Sequence, residues 1–351
     1  MPPADPAHPG HRPLVEPDEW IEIPLTVGRV CDGFRVDRFL TYRIKRLSRT
    51  RIQAIVRAGQ LFRAGQNEPL RRVGVRVHTG EKFILIRPAP IEPDVPLTYV
   101  ELYRDSELLV LDKPAGLPVH PSARYHRNTV TQMLRTQLGP DHGWELAHRL
   151  DRETSGVLVL GRRGRGASGS VLKRAFYARQ VEKCYWAIVH GRLAQRREID
   201  MDLGPAKGSA VRIKMGPCPR AEGGVSASTL VAPLAYGEFR AEPITLVEAR
   251  PRTGRQHQIR VHLAEIGHGL VGDKLYGLDE RYFLEVVEGG RPIAELEHNL
   301  GLSRHALHAR ALALPHPTTG KRIVFTSAWP SCLAALICPP SDCAGGEPAL
   351  L

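Results

Sequence analysis

His148-Arg149-Leu150-Asp151-Arg152-Glu153-Thr154-Ser155-Gly156, followed at once by Val157-Leu158-Val159-Leu160, is the stretch on which the reading of this chain turns. The apolar run is short, β-branched at alternate positions and bounded by glycines, which reads as a buried strand. The polar half reads as a loop at the strand's start, and loops held by a rigid scaffold are where chemistry concentrates. At its centre one carboxylate, Asp151, stands between Arg149 and Arg152. Nearby positive charge favours the ionised form of an acid. Asp151 is therefore suited to attack or to electrostatic stabilisation more than to acid catalysis. Thr154-Ser155-Gly156 reads as a turn shaped by side-chain-to-backbone hydrogen bonds. Ser155 lacks the GxSxG frame of a hydrolase nucleophile.

The composition around this loop narrows the classes. A chain of 351 residues has room for two or three domains, and 42% hydrophobic content is that of an ordinary globular protein. No uninterrupted apolar stretch approaches the roughly 20 residues of a membrane span. The start, Met1-Pro2-Pro3-Ala4-Asp5-Pro6, has neither the basic segment nor the apolar core of a signal peptide. A cytoplasmic protein is expected. The six cysteines are scattered without a CxxC pair, so free thiols are expected and a disulfide framework is not. Neither His257 with His262 nor His305 with His308 is joined by a carboxylate or cysteine at ligand spacing, so no metal site is expected.

The net charge is +12, and residues 29–87 hold 15 Lys and Arg against 4 Asp and Glu. So concentrated an excess points to a polyanion, most simply nucleic acid, although a basic solvated surface would look the same. Within this segment Val36, Phe39, Leu40, Ile44 and Leu47 recur at helical spacing. Ser48 is placed to cap a second helix that buries Ile52, Ile55 and Val56. Arg49, Gln53 and Arg57 form an i, i+4 row on its other face, with Arg51 nearby, and Gly59 is placed to end it. Strand-like pieces follow at 60–63, 73–77 and 83–86. This Ser-Arg-x-x-Ile-Gln…Gly pattern, closed by Gly80-Glu81-Lys82-Phe83-Ile84, resembles the alpha-L RNA-binding domain shared with a small-subunit ribosomal protein. It departs from that pattern at Ala64-Gly65, where the family usually has Asn-Gly.

The expected organisation is a disordered tail at 1–19, an alpha-L-like RNA-binding domain at 20–87, a proline-rich linker at 88–98, a catalytic domain at 99–330 and a disordered tail at 331–351. In the large domain, 108–111, 157–160, 184–189, 228–234 and 245–249 read as strands. The stretches 129–138, 171–180 and 257–266 read as helices, and 161–166 as a flexible basic loop. Strands in runs with a few helices between them argue for α+β rather than repeating βαβ units.

Four segments of the large domain carry a second resemblance. They are Leu111-Asp112-Lys113-Pro114-Ala115-Gly116 with His120; the loop at 148–156; Lys183-Cys184-Tyr185-Trp186-Ala187; and Thr253-Gly254-Arg255-Gln256-His257-Gln258-Ile259-Arg260-Val261-His262-Leu263. Gly272-Asp273-Lys274-Leu275-Tyr276-Gly277 and Leu307-His308-Ala309 follow. In this order they resemble the RluA-type RNA pseudouridine synthases over roughly residues 99–330. The resemblance implies a catalytic domain with a mixed, mainly antiparallel sheet. It also implies isomerisation of uridine in RNA without a cofactor: the bond from ribose to base nitrogen breaks, the base turns, and the bond re-forms to carbon.

On that resemblance Asp151 is the catalytic aspartate. Its first step is left open among attack on the anomeric carbon, attack on the uracil ring and removal of the ribose 2′ proton. Arg260 is its charge partner, expected to hold it by a planar two-point contact. Tyr185 is the ring that faces the base, and Ile259 an apolar wall. Arg149 would enter the space that a flipped nucleotide leaves, unless it simply pairs with Glu153. Lys113, His120 and Arg255 are expected to face RNA or to be structural; Arg49, Arg51 and Arg57 are the expected RNA contacts of the small domain. The partner is RNA, most simply large-subunit ribosomal RNA, and the protein is expected to be a monomer. Transfer RNA as substrate, a non-catalytic assembly factor and a base-releasing glycosylase are the competing readings.

Overall fold

The structure, a computed structural model, describes residues 20–45, 47–88, 92–122, 125–277, 279–288 and 293–340. The expected N-terminal tail lies outside the described residues, as do residues 89–91 of the linker. The chain divides into two compact units at Pro93/Asp94.

In the first unit, β1 (Trp20–Thr26) and β2 (Leu61–Arg63) pair antiparallel with β3 (Lys82–Pro88) between them. Helices α1 (Val36–Arg43) and α2 (Arg49–Arg57) close the core, which gathers Phe39, Leu40, Ile52, Val56, Leu61, Val77 and Phe83. The hydroxyl of Ser48 caps α2 by accepting from the Arg51 amide at 3.2 Å, and Gly59 follows the helix at φ +79°. At the Ala64-Gly65 departure, the Gln66 amide donates to the Arg63 carbonyl and Gly65 takes φ +80°. A glycine in that place supports a type II turn, so the bend survives without the asparagine. The strand expected at 73–77 does not form. Val75 and Val77 instead exchange main-chain hydrogen bonds with residues 33–36, and Val77 is drawn into the core as part of a loop.

The second unit is built on a ten-stranded sheet. Its order is β4 (Val100–Arg104), β5 (Leu108–Lys113), β7 (Ser155–Arg162), β14 (Leu307–Pro315), β8 (Glu182–His190), β13 (Glu242–Pro251), β12 (Ser228–Phe239) and β9 (Arg197–Asp200). β6 (Trp144–Leu146) adds to β7 and β15 (Arg322–Thr326) to β14. Among these pairings only β7 with β14 is parallel, so the sheet is mixed and mainly antiparallel, as expected. A separate hairpin joins β10 (Leu203–Pro205) to β11 (Met215–Pro217). The helices are α3 (Val130–Leu138), α4 (Ser168–Tyr177), α5 (Gln258–Glu265), α6 (Glu280–Glu288), α7 (Ile293–Leu300) and α8 (Ser331–Ala334).

The apolar run 157–160 is covered on both faces of the sheet. Leu158 and Leu160 pack with Leu109 and Leu111 on one side; Val157 and Val159 pack with Leu108, Val110 and Leu172 on the other. A strand buried on both faces has no polar alternation to show, which is why its sequence is continuous rather than two-periodic. At its start Gly156 has φ +108°, and any Cβ there would strike the main chain of Ala309. Only glycine allows β7 and β14 this approach, and it sets the Asp151 loop at the sheet's edge of entry. β7 also runs on through Gly161 and Arg162, so part of the basic loop expected at 161–166 is strand; Arg162 lies over the Trp144 ring, its centroid distance 3.8 Å. Residues 331–340, expected as tail, belong to the fold: Leu333 and Ile337 are buried beside Trp186 and Trp329. The remaining residues to 351 lie outside the described ones.

Candidate active site

Three segments far apart in sequence meet at Asp151. The loop before β7 carries Asp151, β8 carries Tyr185, and α5 carries Ile259 and Arg260. The start of α5 is fixed by Gln258. Its amide oxygen accepts from the Thr253 hydroxyl at 2.6 Å and from the Arg255 amide at 3.0 Å, while its nitrogen donates to the Ser228 carbonyl at 2.9 Å. His257 precedes the helix in the left-handed region, at φ +57°. That conformation is uncommon for any residue but glycine, and here it aims the imidazole at the aspartate.

Arg260 is buried, and each of its three nitrogens donates a hydrogen bond. Its Nη1 donates to one oxygen of Asp151 at 2.9 Å. Its Nε and Nη2 donate to the two oxygens of Asp273 at 2.7 and 2.9 Å. The planar two-point contact expected for Asp151 is therefore made to Asp273, and Asp151 receives a single hydrogen bond. Asp273 is itself buried and accepts from the amides of Leu275 and Tyr276, which set the turn at 273–276. Burial alone would raise the acid of Asp151, whose side chain is 29% exposed, but the charge of Arg260 outweighs it and holds the carboxyl below its usual range. For Asp273 the same competition is won more decisively, again by Arg260.

The flanking arginines do not do this work. Arg152 donates to Glu153 at 2.7 Å and to the Tyr125 hydroxyl at 2.8 Å. Arg149 is exposed, and Glu153 pairs with Arg152 and with Lys274, at 3.0 Å, rather than with Arg149. Glu153 also accepts from the His305 amide at 3.1 Å, and the Thr154 hydroxyl meets His305 Nε2 at 2.8 Å. Glu153, Thr154 and His305 thus brace the loop from beneath. Ser155 does likewise through His308 Nδ1 at 2.8 Å.

The second oxygen of Asp151 faces His257, whose Nε2 lies 3.9 Å away, too far for a direct hydrogen bond. His257 Nδ1 lies 2.9 Å from the Tyr276 hydroxyl, which accepts from the Met215 amide. Burial lowers His257 to about 4 and raises Tyr276 to about 12, so both are neutral at pH 7. With Tyr276 donating to Nδ1, the ring proton sits on Nε2 and points at the carboxylate; the other tautomer would set a lone pair against it.

Tyr185 packs on its strand beside Ile259 and Leu263, and burial together with the Asp151 charge raises its phenol above the usual range. A phenol held neutral can stack on a base or donate a hydrogen bond, and is a poor proton acceptor at neutral pH. Ile259 is buried beneath it.

Lys113 is not on the RNA-facing surface. It is 1% exposed, and its ammonium donates to the carbonyls of Pro114, Leu117 and Arg152 at 2.7, 2.9 and 3.0 Å. It ties the turn after β5 to the Asp151 loop. His120 and Arg255 are exposed, and Arg255 Nε donates to the Ser226 carbonyl at 3.1 Å. In the first unit Arg49 is half committed: with Gln53 it holds the buried carboxylate of Asp37, at 3.1 and 2.7 Å. Arg51 and Arg57 are exposed.

The sequence reading missed Asp273, Tyr276, His257 and Lys274 as parts of the site. The signal was present, since Gly272-Asp273-Lys274-Leu275-Tyr276-Gly277 is one of the segments that carry the resemblance. Among the described residues no group of three or more His, Cys, Asp or Glu side chains is disposed to hold a metal ion.

Comparison with known proteins identifies the family. Residues 107–265 match the RNA pseudouridylate synthase family. The ribosomal large subunit pseudouridine synthase D of Zymomonas mobilis subsp. mobilis is 32% identical over 320 residues, covering 87% of this chain and 93% of its own. The tRNA pseudouridine synthase C of Yersinia pestis is 33% identical, covering 65% of this chain and 85% of its own. The solved structure of human RNA pseudouridylate synthase domain containing 1 has 26% identity and a TM-score of 0.53, covering 70% of this chain and 90% of its own. The chain belongs to the RluA-type RNA pseudouridine synthase family and is an isomerase acting on RNA.

Proposed function

Starting from that membership, we propose that the chain isomerises uridine in large-subunit ribosomal RNA, with Asp151 as the attacking carboxylate. One observation carries the catalytic part: Asp151 is the acid at the mouth of the site, kept ionised by a buried guanidinium, with one oxygen left uncommitted. An ionised, partly dehydrated carboxylate is a competent nucleophile or base, and shielding from water keeps the detached base from being lost. The reaction is redox-neutral. The N1–C1′ bond is replaced by a C5–C1′ bond, and the proton leaving C5 is balanced by one gained at N1.

In this reading Arg260 fixes and charges Asp151, and Asp273 fixes Arg260. His257 presents a neutral N–H toward the free oxygen, so that the carboxylate is oriented from both sides. Tyr185 stacks on the uracil over Ile259, and Arg149 fills the place of the flipped nucleotide. Lys113 positions the loop from inside. Residues 99–330 form the catalytic domain, and residues 20–87 form an alpha-L-like domain that holds RNA through Arg51, Arg57 and the exposed part of Arg49. The ribosomal assignment is supported by extent: the relative named for the large ribosomal subunit matches 87% of this chain, the one named for transfer RNA 65%. We take the protein to act as a monomer in the cytoplasm; no described helix is long and apolar enough to cross a membrane.

The test is Asp151→Asn. Pseudouridine formation in a large-subunit ribosomal RNA transcript should fall by about 10³-fold or more, while RNA affinity stays within a few-fold of the unaltered protein. Unchanged pseudouridine formation would remove Asp151 from the chemistry. Modification of transfer RNA but not ribosomal RNA by the unaltered protein would overturn the substrate assignment alone.

A further inference from the structure

We propose that Lys183, Arg179 and Arg255 form a binding site for a backbone phosphate of the RNA strand, beside the nucleotide that faces Asp151 and Tyr185. This rests on the functional reading above and extends it to a neighbouring nucleotide.

The argument begins with β8. Side chains alternate across a strand, so Lys183 and Tyr185 lie on the same face, about 6.6 Å apart along it. Cys184, Trp186 and Ile188 go to the opposite core. The Lys183 ammonium donates to the Thr253 carbonyl at 2.7 Å. That contact pins it to the loop leading into α5, which supplies His257 and Arg260. An ammonium carries three donors, and this is the one hydrogen bond described for it. The same loop presents Arg255, which is exposed and whose Nε donates to the Ser226 carbonyl; among the described residues no carboxylate pairs with it. Between them, a side chain at Gly254 would meet nothing nearer than the Lys183 ammonium, at 3.7 Å, so the main chain lies open to approach. Arg179 stands in the turn after α4, exposed and at φ +60°, and its charge is felt at Lys183.

Several cations on the same scaffold have carboxylate partners: Arg250 with Glu248, Arg252 with Glu198, Arg322 with Glu182 and Lys173 with Glu145. Among the described residues, Lys183, Arg179 and Arg255 have none. Arg179 and Arg255 both act on Lys183, after burial the largest influences on it, and no carboxylate offsets them. Three crowded cations repel one another, and an anion from outside relieves that repulsion. In an enzyme whose substrate is RNA, the anion that arrives beside the target base is a phosphodiester, and counterion release accompanies it.

Lys183 supplies an internal probe, because burial and its cationic neighbours lower it to about 8. The groups facing it are Arg179, Arg255, the Thr253 carbonyl and the neutral imidazole of His148. Binding of the full-length protein to a large-subunit ribosomal RNA transcript should be measured against salt, and at pH 7 and pH 9. Arg179→Ala and Arg255→Ala should each weaken binding roughly tenfold at about 0.1 M salt and flatten the logarithmic salt slope by about 0.7. The unaltered protein should bind more weakly at pH 9 than at pH 7, and Lys183→Met should abolish most of that difference. Salt slopes for both arginine variants equal to that of the unaltered protein would overturn the site. So would a pH difference undiminished in Lys183→Met. If the unaltered protein prefers transfer RNA, the ribosomal assignment falls and the slopes measured on that RNA decide the phosphate site.

Discussion

The Asp151 pocket and the α2 face of the N-terminal unit both collect arginines, and they employ them differently. In the pocket Arg260 is buried, all three of its donor groups are assigned, and its charge is spent on two carboxylates. On α2 the side chain of Arg49 is 58% exposed and shares its charge between Asp37 and solvent, while Arg57 is exposed. Water and salt screen exposed charges, and each contributes little by itself. A buried charge is unscreened, and removing its partner is costly. On the proposed reading, chemistry therefore depends on single residues in the pocket, whereas RNA affinity is distributed across the basic face.

The sharpest way to break this contrast is Arg260→Met. It leaves Asp151 and Asp273 facing each other without a cation, so stability should fall by about 3–5 kcal/mol, and pseudouridine formation by about 10²-fold or more. Thermal unfolding and single-turnover kinetics check both; a variant as stable as the unaltered protein would mean that Asp273 takes up a proton at little cost. Next in size, Lys113→Met removes the donor from three carbonyls, at about 2–4 kcal/mol in all. It should leave the salt slope of RNA binding unchanged, which separates a buried tie from an RNA contact.

Acid should divide the units. Burial holds His305 and His308 down to about 3, so both are neutral in the fold, whereas an unfolded histidine titrates near 6.5. Their contribution to stability is complete above about 6.5 and declines as pH falls below it, by on the order of 1 kcal/mol each at about pH 5.5. In the first unit the one described histidine, His78, is exposed. Hydrogen exchange at about pH 5.5 should show β7 and β14 losing protection relative to neutral pH while β1 and β3 do not; equal losses would refute the assignment. The smallest effect is on α2. Arg57→Ala should weaken RNA binding a few-fold and lower the salt slope by about 0.7, with no change in melting temperature. Arg49→Ala should lower both, because it also exposes Asp37 to the loss of a partner.

How much of this was legible in the sequence differs by residue. Asp151, Tyr185 and Arg260 sit in contiguous motifs, and the fold brought them together as expected. The runs of strands with few helices between them conveyed the α+β class, and the resemblance of the large domain conveyed the mixed sheet. Adjacency in sequence put Arg149 and Arg152 beside Asp151, and the resemblance put Arg260 there; the structure gives Arg260, because the loop's curvature turns Arg152 toward Glu153 and Tyr125. Asp273 could not be paired with Arg260 from spacing, since a two-point contact requires a turn between them that only the structure displays. For Lys113 the sequence left open an RNA contact or a structural role, because nothing local announces the three carbonyls that converge on it. Residues 331–340 look like a tail by composition; Leu333 and Ile337 are sparse, but they meet a waiting apolar surface at Trp186.

The guanidinium shared between Asp151 and Asp273 also sets a charge count. Two carboxylates and one guanidinium leave the resting triad at −1. In the proposed reaction, whether Asp151 forms a covalent bond or accepts a proton, its own charge disappears and the triad becomes neutral, with Arg260 and Asp273 still joined at two points. The arginine need not move, and no counter-ion need enter, for the site to be balanced at the moment when the base is detached. When Asp151 is released as a carboxylate, the excess charge returns to the same oxygen pair. The site thus behaves as a reversible electrostatic spring whose rest length is set by Asp273, which suits a reaction that must run bond cleavage and bond formation at one place.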